Sequence, residues 1–128
     1  MTRVFVSLSM VILCFTCCTE SVTISVNAND FEEKLRQTVA PQLVDVRTSD
    51  EYNESHLPEA INMDVNRKEF NQSLSVLDKT RPVFVYCRSG KRSLKAASIL
   101  EKNGFTEIYN LKGGILEWKE KYPLYTPL

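Results

Sequence analysis

Histidine is nearly absent from this chain: His56 is the only one in 128 residues. That excludes a metal site built from several imidazoles. Cysteine is sparse as well, and Cys14, Cys17, Cys18 and Cys87 lack the paired spacing of a zinc site. The net charge is zero, so nothing global points to nucleic acid. There is no internal repeat and no low-complexity run, which sets repeat architectures aside. The longest apolar run, Val4 to Phe15, is too short to span a bilayer comfortably. Three of the four cysteines fall within the first 18 residues. The rest of the chain therefore holds Cys87 alone and has no structural disulfide.

What is present describes an ordinary globule. Hydrophobic residues make up 43% and charged residues 25% of the chain, enough for one small domain with a core. The N-terminal segment has a different character. Met1-Thr2-Arg3 is a short basic start, and the apolar stretch to Phe15 carries no acidic residue. This is the pattern of an export signal. Thr16-Cys17-Cys18-Thr19-Glu20 resembles the end of a bacterial lipoprotein signal, with Cys18 or Cys17 as the residue to be lipidated. Ordinary signal cleavage is the alternative. Residues 1–18 are thus read as a signal peptide, 19–27 as a tether and the start of the domain, and 22–125 as the domain itself. The expectation is an exported bacterial protein, either periplasmic or held at the membrane only through a lipid anchor.

The densest chemistry lies in Tyr86-Cys87-Arg88-Ser89-Gly90-Lys91-Arg92-Ser93. The apolar run Val83-Phe84-Val85-Tyr86 delivers Cys87 to a turn with one glycine and three cations. A helical pattern from Ser93 to Asn103 follows at once. Strand, cationic loop and helix N-terminus make a cradle for an anion, because free N–H groups and the positive end of the helix dipole meet there. The same field favours a thiolate, so Cys87 reads as a reactive nucleophile. The plainer alternative is a buried, inert cysteine in an anion-binding loop.

Along the rest of the chain, strands are read at Val22–Val26, Leu43–Val46, Ala60–Met63 and Glu107–Asn110, besides Val83–Tyr86. Helix starts are read at Asn29, with Glu32 three residues on, and at Thr48, with Glu51 three residues on. Phe70, Leu74 and Leu77 predict a helix within Asn66–Leu77, and Gly113-Gly114 leads a last helix through Trp118. Five strands alternating with helices predict an α/β domain with a mostly parallel sheet. Its site should lie beyond the carboxyl ends of the strands, where Cys87, Asp45 and Arg47 fall.

Four stretches in order resemble the rhodanese family of single-domain sulfurtransferases. They are Leu43-Val44-Asp45-Val46-Arg47 with Glu51-Tyr52, Ser55 to Asn62, Val85 to Ser93, and Leu111-Lys112-Gly113-Gly114 with Trp118. In the second stretch the family has two glycines where this chain has Ser55 and Glu59, a departure that bears on backbone geometry rather than chemistry. The resemblance implies a rhodanese-like fold with helices on both faces of a five-stranded, mostly parallel sheet. It implies that Cys87 carries sulfur and that Arg88, Ser89, Gly90, Lys91, Arg92 and Ser93 bind the substrate, with Asp45 and Arg47 in support. His56, Trp118 and the Gly113-Gly114 turn are read as scaffold. The implied reaction moves sulfane sulfur from a small anionic donor such as thiosulfate to a thiol or cyanide, through a Cys87 persulfide, without cofactor or metal. One rival is a phosphatase or arsenate reductase on the same scaffold, whose loop places an arginine six residues after the cysteine. Here Ser93 holds that position. The other rival is a non-catalytic sulfur-carrier or binding domain.

Overall fold

The structure, a computed structural model, describes residues 12, 14 and 18–127. Most of the predicted signal peptide, Cys17 included, lies outside the described residues. Cys14 and Cys18 are free and exposed.

The order of elements is β1 (Val22–Val26), α1 (Ala28–Gln37), β2 (Gln42–Asp45), α2 (Ser49–Glu54), β3 (Ile61–Asn62), α3 (Phe70–Ser73) running into a 3-10 turn (Leu74–Val76), β4 (Val83–Tyr86), α4 (Lys91–Lys102), β5 (Glu107–Leu111) and α5 (Gly114–Trp118). The five strands form one sheet in the order β1-β5-β4-β2-β3. Every pairing is parallel, so the sheet is wholly rather than mostly parallel. Parallel sheets are covered on both faces, and β4 shows it: all four of its residues are buried.

Alternation along the strands sorts the core into two layers. Val83, Val85 and Cys87 face the layer that holds Val44, Val46 and Ile108, covered by Phe70 and Leu74 and by Ala96, Ala97 and Leu100 of α4. Phe84 and Tyr86 face the other layer, with Leu43, Tyr109 and Leu111 under Phe31 of α1 and Ile115 and Trp118 of α5. Helices therefore lie on both faces, as predicted. Cys87 continues the β4 alternation one residue past the strand and points toward α4.

The boundaries differ from the sequence expectations in instructive places. The cap of α1 is Asn27, whose side chain accepts the Asp30 N–H at 3.0 Å, and not Asn29. The Thr48 capping box is present as predicted, with Glu51 as its partner. The long helix expected within Asn66–Leu77 shrinks to α3 and its 3-10 turn. Asp64 accepts the Asn66 and Arg67 N–H groups, so a local turn takes the backbone first. Helix α4 begins at Lys91, two residues before the expected Ser93, because Gly90 adopts φ 96° and caps it.

Candidate active site

The β4 strand ends at Tyr86, and the chain turns through Cys87 to Gly90 into α4. The turn needs glycine for two reasons. Gly90 lies in the left-handed region, and a Cβ there would stand 2.2 Å from the Lys112 carbonyl oxygen. The opposite wall is the β5–α5 turn. A Cβ on Gly114 would stand 2.2 Å from the Arg88 carbonyl oxygen. The Ile115 N–H donates to the Cys87 carbonyl at 2.9 Å, and the Leu116 N–H to that of Arg88 at 3.3 Å. The adjacent glycines thus let α5 brace the cysteine loop from behind. Sequence reasoning assigned that turn to packing, and two glycines between a strand and a helix were the signal for the closer role.

Cys87 is 1% exposed, and its sulfur sits on the floor of the cradle. The Gly90 N–H donates to Sγ at 3.1 Å, and Ser93 Oγ lies 3.4 Å from it. Burial pushes the thiol up. Hydrogen bonds from the Ser93 hydroxyl and from the Ser93, Ser89 and Gly90 N–H groups outweigh burial and hold the thiol below its ordinary value. The sequence predicts a thiolate favoured by loop N–H groups, the helix N-terminus and the cations together, and the hydrogen bonds of the loop are the leading causes that favour it. Ser93 is wholly buried one turn into α4, which is why its hydroxyl can reach the sulfur.

The three cations are not equivalent. Arg88 and Lys91 are exposed at the mouth. Arg92 is pinned by Glu51 of α2, with Nη1 to Oε2 and Nη2 to Oε1 both at 2.8 Å. The Arg92 guanidinium, followed by the Thr48 groups, holds the Glu51 carboxyl down at about 2 against the effect of burial. The sequence marks Glu51 as a capping residue and as part of the first family stretch, and nothing local in it signals a pairing with a residue 41 positions away. Lys91 and Arg92 sit in the first turn of α4, which has no acidic residue. Cations there oppose the helix dipole. Their presence costs stability and suits an anion.

Asp45 and Arg47 are buried behind the loop as an ion pair, with Arg47 Nη2 at 2.6 Å from Asp45 Oδ2. The Tyr86 hydroxyl donates to Asp45 at 2.7 Å and accepts the Leu57 N–H at 3.1 Å. Burial first, then the Asp45 charge, push the Tyr86 phenol up, so it remains a donor. Arg47 also donates to the Ser55 carbonyl at 2.7 Å. This network ties the ends of β2 and β4 to the 55–57 loop. His56 stacks on Tyr52 with ring centroids 3.7 Å apart, and its Nδ1 lies 2.8 Å from the Tyr52 carbonyl. Both contacts are structural. Among the described residues no group of three or more His, Cys, Asp or Glu side chains is placed to hold a metal ion. A cavity of about 390 Å3 between α1, α5 and the 57–59 loop lies on the face away from Cys87 and is lined by none of residues 87–93.

A cysteine sulfur ringed by N–H groups between a parallel strand and a helix, on this topology, matches a known family. The Rhodanese-like domain matches residues 27–121. The chain belongs to the rhodanese family. It is similar to the uncharacterized protein YqhL of Bacillus subtilis, 41% identical over 80 residues that make up 62% of each chain. The chain thus spans less than two thirds of that relative. A sulfurtransferase of Allochromatium vinosum is 31% identical over 103 residues, covering 80% of this chain and 94% of that one. The thiosulfate sulfurtransferase GlpE of Coxiella burnetii is 37% identical over 82 residues, covering 63% and 74%. Among solved structures, the rhodanese-like domain protein of Staphylococcus aureus superposes with a TM-score of 0.71 at 27% identity, covering 81% of this chain and 98% of that one. Sulfurtransferases thus stand among the relatives of this chain.

Proposed function

We propose that this rhodanese is a thiosulfate sulfurtransferase that works through a Cys87 persulfide. The observation that carries the reading is the set of donors aimed at one sulfur: the Ser89, Gly90 and Ser93 N–H groups and the Ser93 hydroxyl. The Cys87 thiolate attacks the outer sulfur of thiosulfate. A new S–S bond forms at Cys87, the old bond to the sulfonate sulfur breaks, and sulfite leaves with that electron pair. The persulfide carries its charge on the outer sulfur, one bond beyond Sγ and within the same loop, whose N–H groups and helix N-terminus favour an anion there as well. Cyanide, or a cellular thiolate, then attacks the outer sulfur and the Cys87 thiolate is restored. The two half-reactions predict ping-pong kinetics. Arg88 and Lys91 at the mouth draw in the anionic donor.

The phosphatase reading fits the loop less well. Position six after the cysteine is Ser93, and its hydroxyl lies at the sulfur. The nearest arginine, Arg92, is held by Glu51. A domain that only bound an anion would not need a thiol held below its ordinary value. The test is Cys87→Ser. Mass spectrometry after incubation with thiosulfate should show a gain of one sulfur in the wild type and none in the variant, with thiosulfate:cyanide activity lost by more than a hundredfold, the order of losing a covalent nucleophile. Near-wild-type activity in the variant would sink the reading.

The proposal extends to location. The basic start and apolar run to Phe15 support export, and Cys17 or Cys18 could carry a lipid. The unmodified protein should then fractionate with the membrane, and a Cys17→Ser, Cys18→Ser double variant should be released or left unprocessed. A soluble product from the unmodified gene would remove the lipid anchor.

A further inference from the structure

Arg92 differs from the other two loop cations in being held, and what holds it is unusual. Helix α2 has no fully buried residue, and Tyr52 alone packs it against the core. Its hold on the cysteine loop is made by polar contacts. The Thr48 N–H and hydroxyl each donate to Glu51 Oε2 at 3.0 Å, and the Glu51 N–H donates back to Thr48 Oγ1 at 3.2 Å. The same carboxylate then takes Arg92 in a two-bond fork. Glu51 therefore joins the helix that follows β2 to the first turn of α4, two residues from the wall of the cradle. Arg92 also senses the Cys87 charge, which together with the stronger effect of Glu51 raises its own pKa. A guanidinium set free at this spot would hold an anionic persulfide tightly and slow its discharge to the acceptor.

Building on the sulfur-transfer reading, we propose that Glu51 is a positioning residue for that reaction: it fixes Arg92 beside Cys87 and balances its charge, leaving Arg88 and Lys91 to meet the anionic donor. Glutamine at the same place can keep the capping box through its amide oxygen, but its NH2 cannot accept, so Glu51→Gln removes the charge and one arm of the fork to Arg92 together. The other charges and titratable groups around the loop stay the same. They are Arg88, Lys91 and Lys112 at the surface, Glu117 beside the Gly113–Gly114 turn, Tyr86, and the buried Asp45–Arg47 pair.

The experiment compares alkylation of Cys87 by anionic iodoacetate and neutral iodoacetamide. It is read by mass spectrometry at that residue, because Cys14 and Cys18 are exposed thiols. In Glu51→Gln the iodoacetate-to-iodoacetamide rate ratio should rise about threefold or more, the order expected for one partly screened charge. The pH midpoint of alkylation should move down, the KM for thiosulfate should fall, and discharge of the persulfide to cyanide should slow. Arg92→Gln should shift the ratio and the midpoint the opposite way, and the double variant should return close to wild type. A structural role alone would not give opposite signs in two folded variants. An unchanged ratio and midpoint in Glu51→Gln, or shifts of the same sign in both single variants, would overturn the proposal. Alkylation needs no sulfur transfer, so the two readings fail separately. If the wild type forms no persulfide, the sulfur-transfer reading falls while the ratio still decides the charge balance.

Discussion

At Cys87 two effects oppose each other, and the smaller groups win. The thiol is almost fully buried, which disfavours the thiolate, yet four donors from Ser89, Gly90 and Ser93 bring it below the ordinary range. Ser93 is the most testable of them. Its hydroxyl lies 3.0 Å from the Gly90 carbonyl, to which it can donate, and 3.4 Å from the sulfur. When the thiol is protonated, the hydroxyl can rest on Gly90. When the thiolate forms, it can turn to Sγ. Ser93→Ala removes that donor while leaving the N–H groups in place. The thiol should then titrate at higher pH, and the rising limb of kcat/KM against pH should move up with it. Activity at neutral pH should fall about tenfold, the equivalent of one hydrogen bond to a charged group at ~1.5 kcal/mol. A pH–rate profile that superposes on the wild type would show that the N–H groups alone set the sulfur. Ser93 was legible as a loop residue because it follows the cationic run. Its aim at Sγ was not, since that depends on where α4 begins.

Among the elements, α4 shows most plainly that this end of the sheet is shaped for an anion rather than for stability. It opens with Lys91 and Arg92, has no side-chain cap, and relies on a left-handed Gly90. The 55–62 loop has the opposite history. Two positions where the family has glycine are Ser55 and Glu59. Ser55 lies at φ −167°, extended backbone that any residue adopts, so nothing is lost there. Glu59 lies at φ 66° and carries the steric cost of a Cβ in the left-handed region. The loop keeps the backbone that glycine would favour and meets the strain instead of avoiding it. Glu59→Gly should therefore stabilise the fold by about 0.5–1 kcal/mol, after the extra freedom glycine gains when unfolded. On a domain of this size that is a rise of about 3–6 °C in Tm, read by thermal unfolding. A lower Tm would mean that Glu59 makes a compensating contact in the cavity it lines.

For the molecule as a whole, the sequence made the layers readable because β4 is an uninterrupted apolar run and the other strands alternate between two covered faces. The same periodicity exposed Cys87 at the carboxyl edge. It could not expose the contacts that assemble that edge: Glu51 with Arg92, Gly114 against Arg88, and Tyr86 with Asp45, all pairings across 26 or more residues. One of these contacts should show in global stability. Glu51 titrates at about 2 in the folded protein against an ordinary 4.5, so the unfolded chain binds that proton more readily. The stability it contributes is complete above about pH 4.5 and is lost as the pH falls toward 2. The side chain is 28% exposed, so solvent reduces the contribution to on the order of 1 kcal/mol. Asp78 shifts in the same direction through its bonds to Thr80, but it is fully exposed. Urea unfolding at pH 6 and pH 3 separates the two. The wild type should lose more stability between those pH values than Glu51→Gln, which has no proton to gain at that position. Equal losses would mean that the Glu51–Arg92 pair contributes charge balance without measurable stability.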